Sequence, residues 1–97
     1  MNAAPNATPT VALPEQLTMQ SAAQALAVLK RELSEQPGPT LAIDAQALRV
    51  LDSSAVALLL ELRRDLQSRG QSLSLRHPPQ RLRDLVALYG VSELLDC

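Results

Sequence analysis

The stretch RVLDSSAVALLLELRRDLQSRG, residues 49–70, joins an acidic residue and two serines to an apolar run that ends at a glycine. It predicts a helix from about Ser53 to Arg69, because Ser and Asp are favoured at helix starts and Gly70 is a typical residue after a helix end. At 100° per residue, one apolar face lies within about 60° of Ala55. This predicted core face comprises Leu58, Leu59, Leu62 and Leu66.

Two further apolar residues of this helix lie off that face. Val56 and Leu60 fall roughly 100° to 140° from Ala55, beside Arg63. We expect both at the margin of the core or outside it. Two alternatives follow: they tuck against a neighbouring element, or they form a small apolar partner surface rimmed by Arg63 and Arg64. Exposed apolar residues flanked by arginine are typical of interfaces.

The rest of the sequence alternates strand and helix patterns. Predicted strands are TVAL at 10–13, TLAID at 40–44 and QSLSLRH at 71–77. Apolar residues spaced by three and four predict helices over about 19–35 and 80–90, with one short turn after them. Residues 1–9 are predicted to be a flexible tail and residues 10–97 a single domain. This order predicts an α/β domain with largely parallel strands.

Composition excludes several classes of function. Nine Lys and Arg stand against ten Asp and Glu, for a net charge of −1, so nucleic-acid binding is not expected. Tyr89 is the one aromatic residue, and Cys97 is the one cysteine. We therefore expect no disulfide, no metal site and no cofactor. The longest apolar run is too short to insert into a membrane, and the N-terminus lacks the positive region of a signal peptide.

Three roles are open for the serines after Asp52. Asp52, Ser53 and Ser54 have the residue types that cap a helix N-terminus. A nucleophilic serine needs a base and an orienting group, but His77 is the one histidine and no Gly-x-Ser-x-Gly motif occurs. We therefore expect no enzyme activity. A phosphate on a serine here would be stabilised by free N–H groups and would act as a binding switch.

Four segments together resemble the STAS domain family. They are LAID (41–44), VLDSSAVALLLELRRDLQSRG (50–70), QSLSL (71–75) and LRDLVALYGVSELL (82–95). The likeness covers roughly residues 10–96 and implies an α/β domain with a mixed, mostly parallel sheet and helices mainly on one side. STAS domains usually begin with an extra strand, which we expect this sequence to be too short to supply.

One branch of this family is the small cytoplasmic STAS subunit of the Mla phospholipid ABC transporter. VALLLEL and LVALYGVSELL resemble this branch, and Ser53 matches the hydroxyl residue that contacts its ATPase subunit. The resemblance implies a non-catalytic, cytoplasmic protein that lies on the inner membrane through the ATPase and its permease. Its role would be to support phospholipid transport that maintains outer-membrane lipid asymmetry. The expected partner-binding residues are Asp52, Ser53, Ser54, Val56, Leu60 and Arg63.

The other branch comprises anti-sigma factor antagonists. Their Asp-Ser-Ser-Gly motif carries a second serine that a partner kinase, the anti-sigma factor, phosphorylates. Ser54 matches that serine, although Ala55 replaces the glycine. The alternative function is therefore partner switching with Ser54 as the phosphorylation site. Tyr89 also has two alternatives, an interface role or a ring packed in the core with its hydroxyl at the rim.

Overall fold

The structure is a computed structural model and describes residues 9–97. The elements in chain order are β1 (Thr10–Ala12), β2 (Gln16–Leu17), α1 (Ala22–Ser34), β3 (Thr40–Asp44), β4 (Val50–Leu51), α2 (Ser53–Gln67), β5 (Ser72–Arg76), α3 (Gln80–Leu88) and α4 (Ser92–Leu95). Residues 1–8 of the predicted tail lie outside the described residues, and Pro9 is the one residue of that tail that the structure describes. None of the described helices is long and apolar enough to cross a membrane.

The strands form two small parallel sheets. The larger has the order β1-β3-β5, with Val11 opposite Ile43 and Ile43 opposite Leu75. The smaller pairs β2 with β4. The predicted α/β class with mostly parallel strands is confirmed. Within residues 9–97 every strand pair is parallel, so the antiparallel pair of a mixed sheet is not among them.

The core is built around β3 and α2. Leu41, Ala42 and Ile43 of β3 are fully buried, as expected for a central strand covered on both faces. The face of α2 predicted to be buried is confirmed, since its leucines and Ala55 are at most 3% exposed. The other helices complete the core with Leu29, Leu33, Leu82, Val86 and Leu95.

Helix α1 begins three residues later than the sequence predicts. The carbonyl oxygen of Thr18 accepts the N–H groups of Ser21 and Ala22, at 3.0 and 2.9 Å. The Ser21 hydroxyl accepts the Thr18 N–H at 3.1 Å instead of capping the helix. Residues 18–21 thus form a turn, and this turn places Met19 next to the start of α2.

Helix α2 ends at Gln67, two residues earlier than the sequence predicts, and Gly70 lies just after its end as expected. Gly70 follows it with a φ of +75°, a conformation that costs little only for glycine. The Leu66 carbonyl oxygen accepts the N–H groups of Arg69 and Gln71, at 3.0 and 2.9 Å. This turn satisfies the end of the helix and directs the chain into β5.

Candidate protein-binding site at the start of helix α2

Asp52 fixes the start of α2 against the turn before α1. Its backbone is extended, and its Oδ1 accepts the Ser54 N–H at 2.8 Å. Its Oδ2 accepts the Met19 N–H at 3.0 Å. The hydrogen bond from Met19, followed by that from Ser54, lowers the pKa of the Asp52 carboxyl. Asp52, and not either serine, is therefore the N-cap.

The two serines face different surfaces. Ser53 and Ser54 are consecutive in α2, so their side chains diverge by about 100°. Ser53 is exposed and lines a groove of about 310 Å³, called here the α3-side groove, with Val56, Ala57, Leu60 and Tyr89. Ser54 is half-buried and lines a groove of about 380 Å³ between α1 and α2, called here the α1-side groove. Its other lining residues are Ala22, Ala23, Leu26, Ala57, Leu58 and Glu61.

The prediction that Val56 lies at the margin of the core or outside it is wrong. Val56 is only 3% exposed, whereas Leu60 is half-buried. Helices α3 and α4 pack against α2, in addition to α1 and β5, so α2 is covered over more than one face. Val56 is therefore a core residue that also lines the α3-side groove. Of the two alternatives for Val56, packing against neighbouring elements is the one that the structure supports.

Tyr89 is a part of this groove and not a core residue. Its side chain is 53% exposed and lines the groove together with Ser53 and Leu60. Its neighbour Leu88 is 75% exposed. Among the interpretations of Tyr89, the structure favours a surface role, because the ring is accessible where an interface would need it.

The arginines predicted at the rim are separate from the groove lining. Arg63 is half-buried and donates from Nη1 to Oε1 of Gln67 at 3.4 Å. Arg64 is more accessible, with 83% of its side chain exposed and Nη1 3.9 Å from Oε1 of Glu61.

Ala57, which lines both grooves, was not predicted from the sequence as a site residue. The signal for it was available, since it is a small residue on the face of α2 opposite the buried leucines.

The chemistry of the α3-side groove suits binding. Its walls are apolar apart from the hydroxyl groups of Ser53 and Tyr89.

His77 lies at the carboxyl ends of β3 and β5, where its Nδ1 is 3.2 Å from Oδ1 of Asp44. No hydrogen bond joins His77 to Ser53 or Ser54 within residues 9–97, so the nucleophile interpretation of the serines gains no support. Within residues 9–97, no group of three or more His, Cys, Asp or Glu could hold a metal ion.

Comparisons with known proteins agree with this fold. The sequence model of the family described as "Mlab, STAS domain" matches residues 1–96. The crystal structure of a sulfate transporter family protein from Wolinella succinogenes is similar, with a TM-score of 0.73 at 19% identity. The match covers 97% of this chain and 75% of that chain, and at this identity it shows a shared fold alone. A comparison with curated protein sequences gives no match.

Proposed function

Since the chain belongs to the STAS domain family, we propose that it is the non-catalytic STAS subunit of an Mla-type ABC transporter. It binds the ATPase subunit through the α3-side groove and supports assembly or activity of the complex in phospholipid transport. In this role it lies in the cytoplasm, at the inner membrane through the ATPase and its permease. The transport maintains lipid asymmetry of the outer membrane.

The observation that carries this proposal is the make-up of the α3-side groove. Ser53, the residue matched to the ATPase contact, lines the same groove as Leu60 and Tyr89. Buried Val56 gives the groove a fixed apolar wall. An aromatic residue beside an aliphatic wall is typical of the anchor points that dominate binding energy in protein interfaces.

The rigid start of α2 supports the same proposal. Asp52 ties the first turn of α2 to Met19 through two hydrogen bonds, so Ser53 is held before any partner arrives. A site that is ordered in advance loses less conformational entropy on binding. We expect Arg64, which is 83% exposed, to meet acidic residues at the rim of the ATPase surface.

Partner switching, the alternative function, has weaker support. A phosphate on Ser54 would lie next to the carboxylate of Asp52, whose Oδ1 already accepts the Ser54 N–H at 2.8 Å. Two anions at this distance repel each other, and the N–H is no longer available to a phosphate. Repulsion from Asp52 and the loss of this N–H therefore both weigh against a phosphate on Ser54.

The proposal is tested by quantitative capture of the ATPase subunit and its permease from the native bacterium with the tagged chain. Ser53→Glu places a charge at the α3-side groove, and Tyr89→Ala removes its aromatic side chain. Ala23→Glu is the matched control, because it places the same charge at the α1-side groove. We expect the first two variants to weaken ATPase binding about 30-fold, the effect of losing one interface anchor.

Three results would contradict the proposal. The first is capture of a serine kinase in place of the ATPase. The second is an intact mass raised by one phosphate on Ser54, which would favour partner switching. The third is loss of ATPase binding in Ala23→Glu while Ser53→Glu binds normally, which would assign the contact to the α1-side groove.

A further inference from the structure

Strand β5 forms one edge of the three-stranded sheet, and the structure describes its whole length. The sheet has the order β1-β3-β5, and among the described strands β5 pairs with β3 alone. Its register places Leu73 opposite Leu41 and Leu75 opposite Ile43. Neighbouring residues of paired strands lie on the same face of a sheet, so both leucines of β5 pack against the core, as their partners do.

The unpaired backbone groups of β5 belong to these two leucines. The Ser72 N–H donates to the Pro39 carbonyl oxygen, and the Arg76 carbonyl oxygen accepts the Ala45 N–H, both at 2.8 Å. Alternate residues of a strand bond to the same neighbour, so the N–H and C=O groups of the two leucines point away from β3. Within residues 9–97, none of these four groups has a hydrogen-bond partner.

The outer edge of β5 is open to solvent. Leu41 and Ile43 of β3 are fully buried, whereas Leu73 and Leu75 beside them are only half-buried. The cover over this face of the sheet therefore ends at β5. Backbone groups without a protein partner are rarely shut away from water, so the four free groups are accessible to a further strand.

The middle of β5 lacks the features that usually prevent edge strands from pairing. Charged side chains, prolines and bulges are common devices at sheet edges. Residues 73–75 carry no charge and no proline. A charge comes only at Arg76, and the chain then leaves the strand at His77, whose φ is +54°, and continues into Pro78. Pairing is thus possible over one short window centred on Ser74.

We propose that β5 pairs with β5 of a second copy of the chain, antiparallel and centred on Ser74. In this register Leu73 lies opposite Leu75 of the second copy, so the outward N–H and C=O groups of each face those of the other. Two such pairs, related by a twofold axis, give four hydrogen bonds between the strands. The three-stranded sheets of the two copies join into one sheet of six strands.

The side chains of β5 suit pairing with itself. On the core face each Leu73 meets a Leu75, which covers apolar side chains that are half-buried in a single copy. On the opposite face Ser74 meets its own copy, and Arg76 meets Ser72. Because β5 carries one charged residue, no like charges are directly opposed. β5 therefore supplies the alternation of apolar and polar side chains that its own edge requires.

The contact is small and separate from the α3-side groove. Interfaces of stable complexes have about 20–30 residues on each side, whereas β5 contributes five. We expect a dissociation constant on the order of 0.1 mM. No residue of β5 lines the α3-side groove, so the dimer does not depend on the ATPase contact.

The test combines sedimentation velocity and NMR of the full-length chain. Concentrations from about 10 μM to about 1 mM bracket the expected dissociation constant. The wild type should change from monomer to dimer over this range. The largest concentration-dependent shifts should be those of the Leu73 and Leu75 amides.

A pair of charge variants tests the register. Ser74→Lys and Ser74→Glu each place like charges directly opposite one another, so each alone should weaken the dimer roughly tenfold. An equimolar mixture of the two should associate at least as tightly as the wild type, because opposite charges then face each other. Ala12→Lys is the matched control, since it places a charge on the same face at the other edge of the sheet. It should dimerise like the wild type.

A backbone variant tests the hydrogen bonds. Leu75→Pro removes one outward N–H from each copy and thus two of the four hydrogen bonds, and proline is tolerated at such edge positions. It should weaken the dimer at least roughly tenfold. The matched variant Leu75→Val keeps the N–H and should dimerise nearly like the wild type. Thermal unfolding checks that both variants are folded.

Several results would overturn the proposal. One is a wild-type chain that stays monomeric throughout, with no shift at Leu73 and Leu75. Another is a dimer that Ser74→Lys and Leu75→Pro leave unchanged, which would place the interface elsewhere. Shifts of the two leucines on addition of the ATPase subunit to a monomeric chain would make a different protein the occupant. Dimers that form only after removal of residues 1–8 would make the chain's own start the occupant.

Discussion

Replacing Val56 with alanine tests whether this residue is a core residue with one wall on the α3-side groove. Val56 is 3% exposed, so the substitution removes two buried methyl groups, worth about 1.6 kcal/mol at 0.8 kcal/mol each. The groove is open to solvent, so little extra cavity cost is added. Alanine is the better helix former by about 0.5 kcal/mol. We expect a net loss of about 1 kcal/mol in the free energy of unfolding.

The assay is urea unfolding of the wild type, Val56→Ala and Leu59→Ala at pH 7, with thermal unfolding as a second measure. Leu59 is the matched control, because it lies in the same helix but is fully buried and lines neither groove. Leu59→Ala should lose about 3 kcal/mol, the usual cost of an enclosed cavity. A loss of 1 kcal/mol in a domain of this size lowers the melting temperature by about 4–8 °C.

Stability of Val56→Ala equal to or above that of the wild type would contradict the burial of Val56 in the core. That result would mean that Val56 is exposed, as the angular position on α2 alone predicts, since helix propensity would then be the larger effect. A loss of unfolding free energy as large as that of Leu59→Ala, with unchanged m values, would contradict the groove, because Val56 would then be enclosed and would not border an accessible surface.

Three further substitutions probe the ends and the surface of α2. Asp52→Asn should be less stable than the wild type at pH 7, and the difference should shrink as the pH falls through the acid range in urea unfolding. The reason is that a lowered pKa means that the ionised Asp52 carboxylate stabilises the folded state. This stabilisation is complete at pH values above the ordinary pKa of an aspartate and is lost as the carboxylate becomes protonated. Gly70→Ala should cost about 1–2 kcal/mol, because Gly70 has a φ of +75°, and thermal unfolding measures it. Glu61→Gln should change the unfolding free energy by less than about 1 kcal/mol in urea, because its 3.4 Å pair with Lys30 is solvent-exposed.

The α/β order, the core face of α2 and the turn at Gly70 were predictable because each depends on local pattern. Leucines spaced by three and four determine which side of α2 is buried, whatever it packs against. The two-residue strands β2 and β4 were not predicted, since two residues are too few for an alternating pattern. Burial of Val56 was not predictable either, because it results from α3 and α4 returning to α2 from later in the sequence.

The candidate site was predicted in composition but not in arrangement. Ser53 and Leu60 do line one groove, whereas Ser54, predicted beside them, lines another. A sequence motif places adjacent residues together, but a helix turns them apart by about 100° for each step. Arg63 illustrates the same limit, because its contact with Gln67 along the helix is set by an i,i+4 spacing and not by the groove.

The division of the two serines between two grooves has a consequence for partner binding. A partner that fills the α3-side groove can contact Ser53 and Tyr89 without covering Ser54. Because Asp52 accepts the backbone N–H groups of Ser54 and Met19, replacing the Ser54 side chain leaves the hydrogen bonds that hold α2 against the turn before α1 in place. Substituting Ser54 should therefore affect partner binding more weakly than substituting Ser53, which lines the partner's groove. Comparing Ser53→Ala with Ser54→Ala in ATPase capture tests this difference, and equal losses would mean that the partner covers the whole start of the helix.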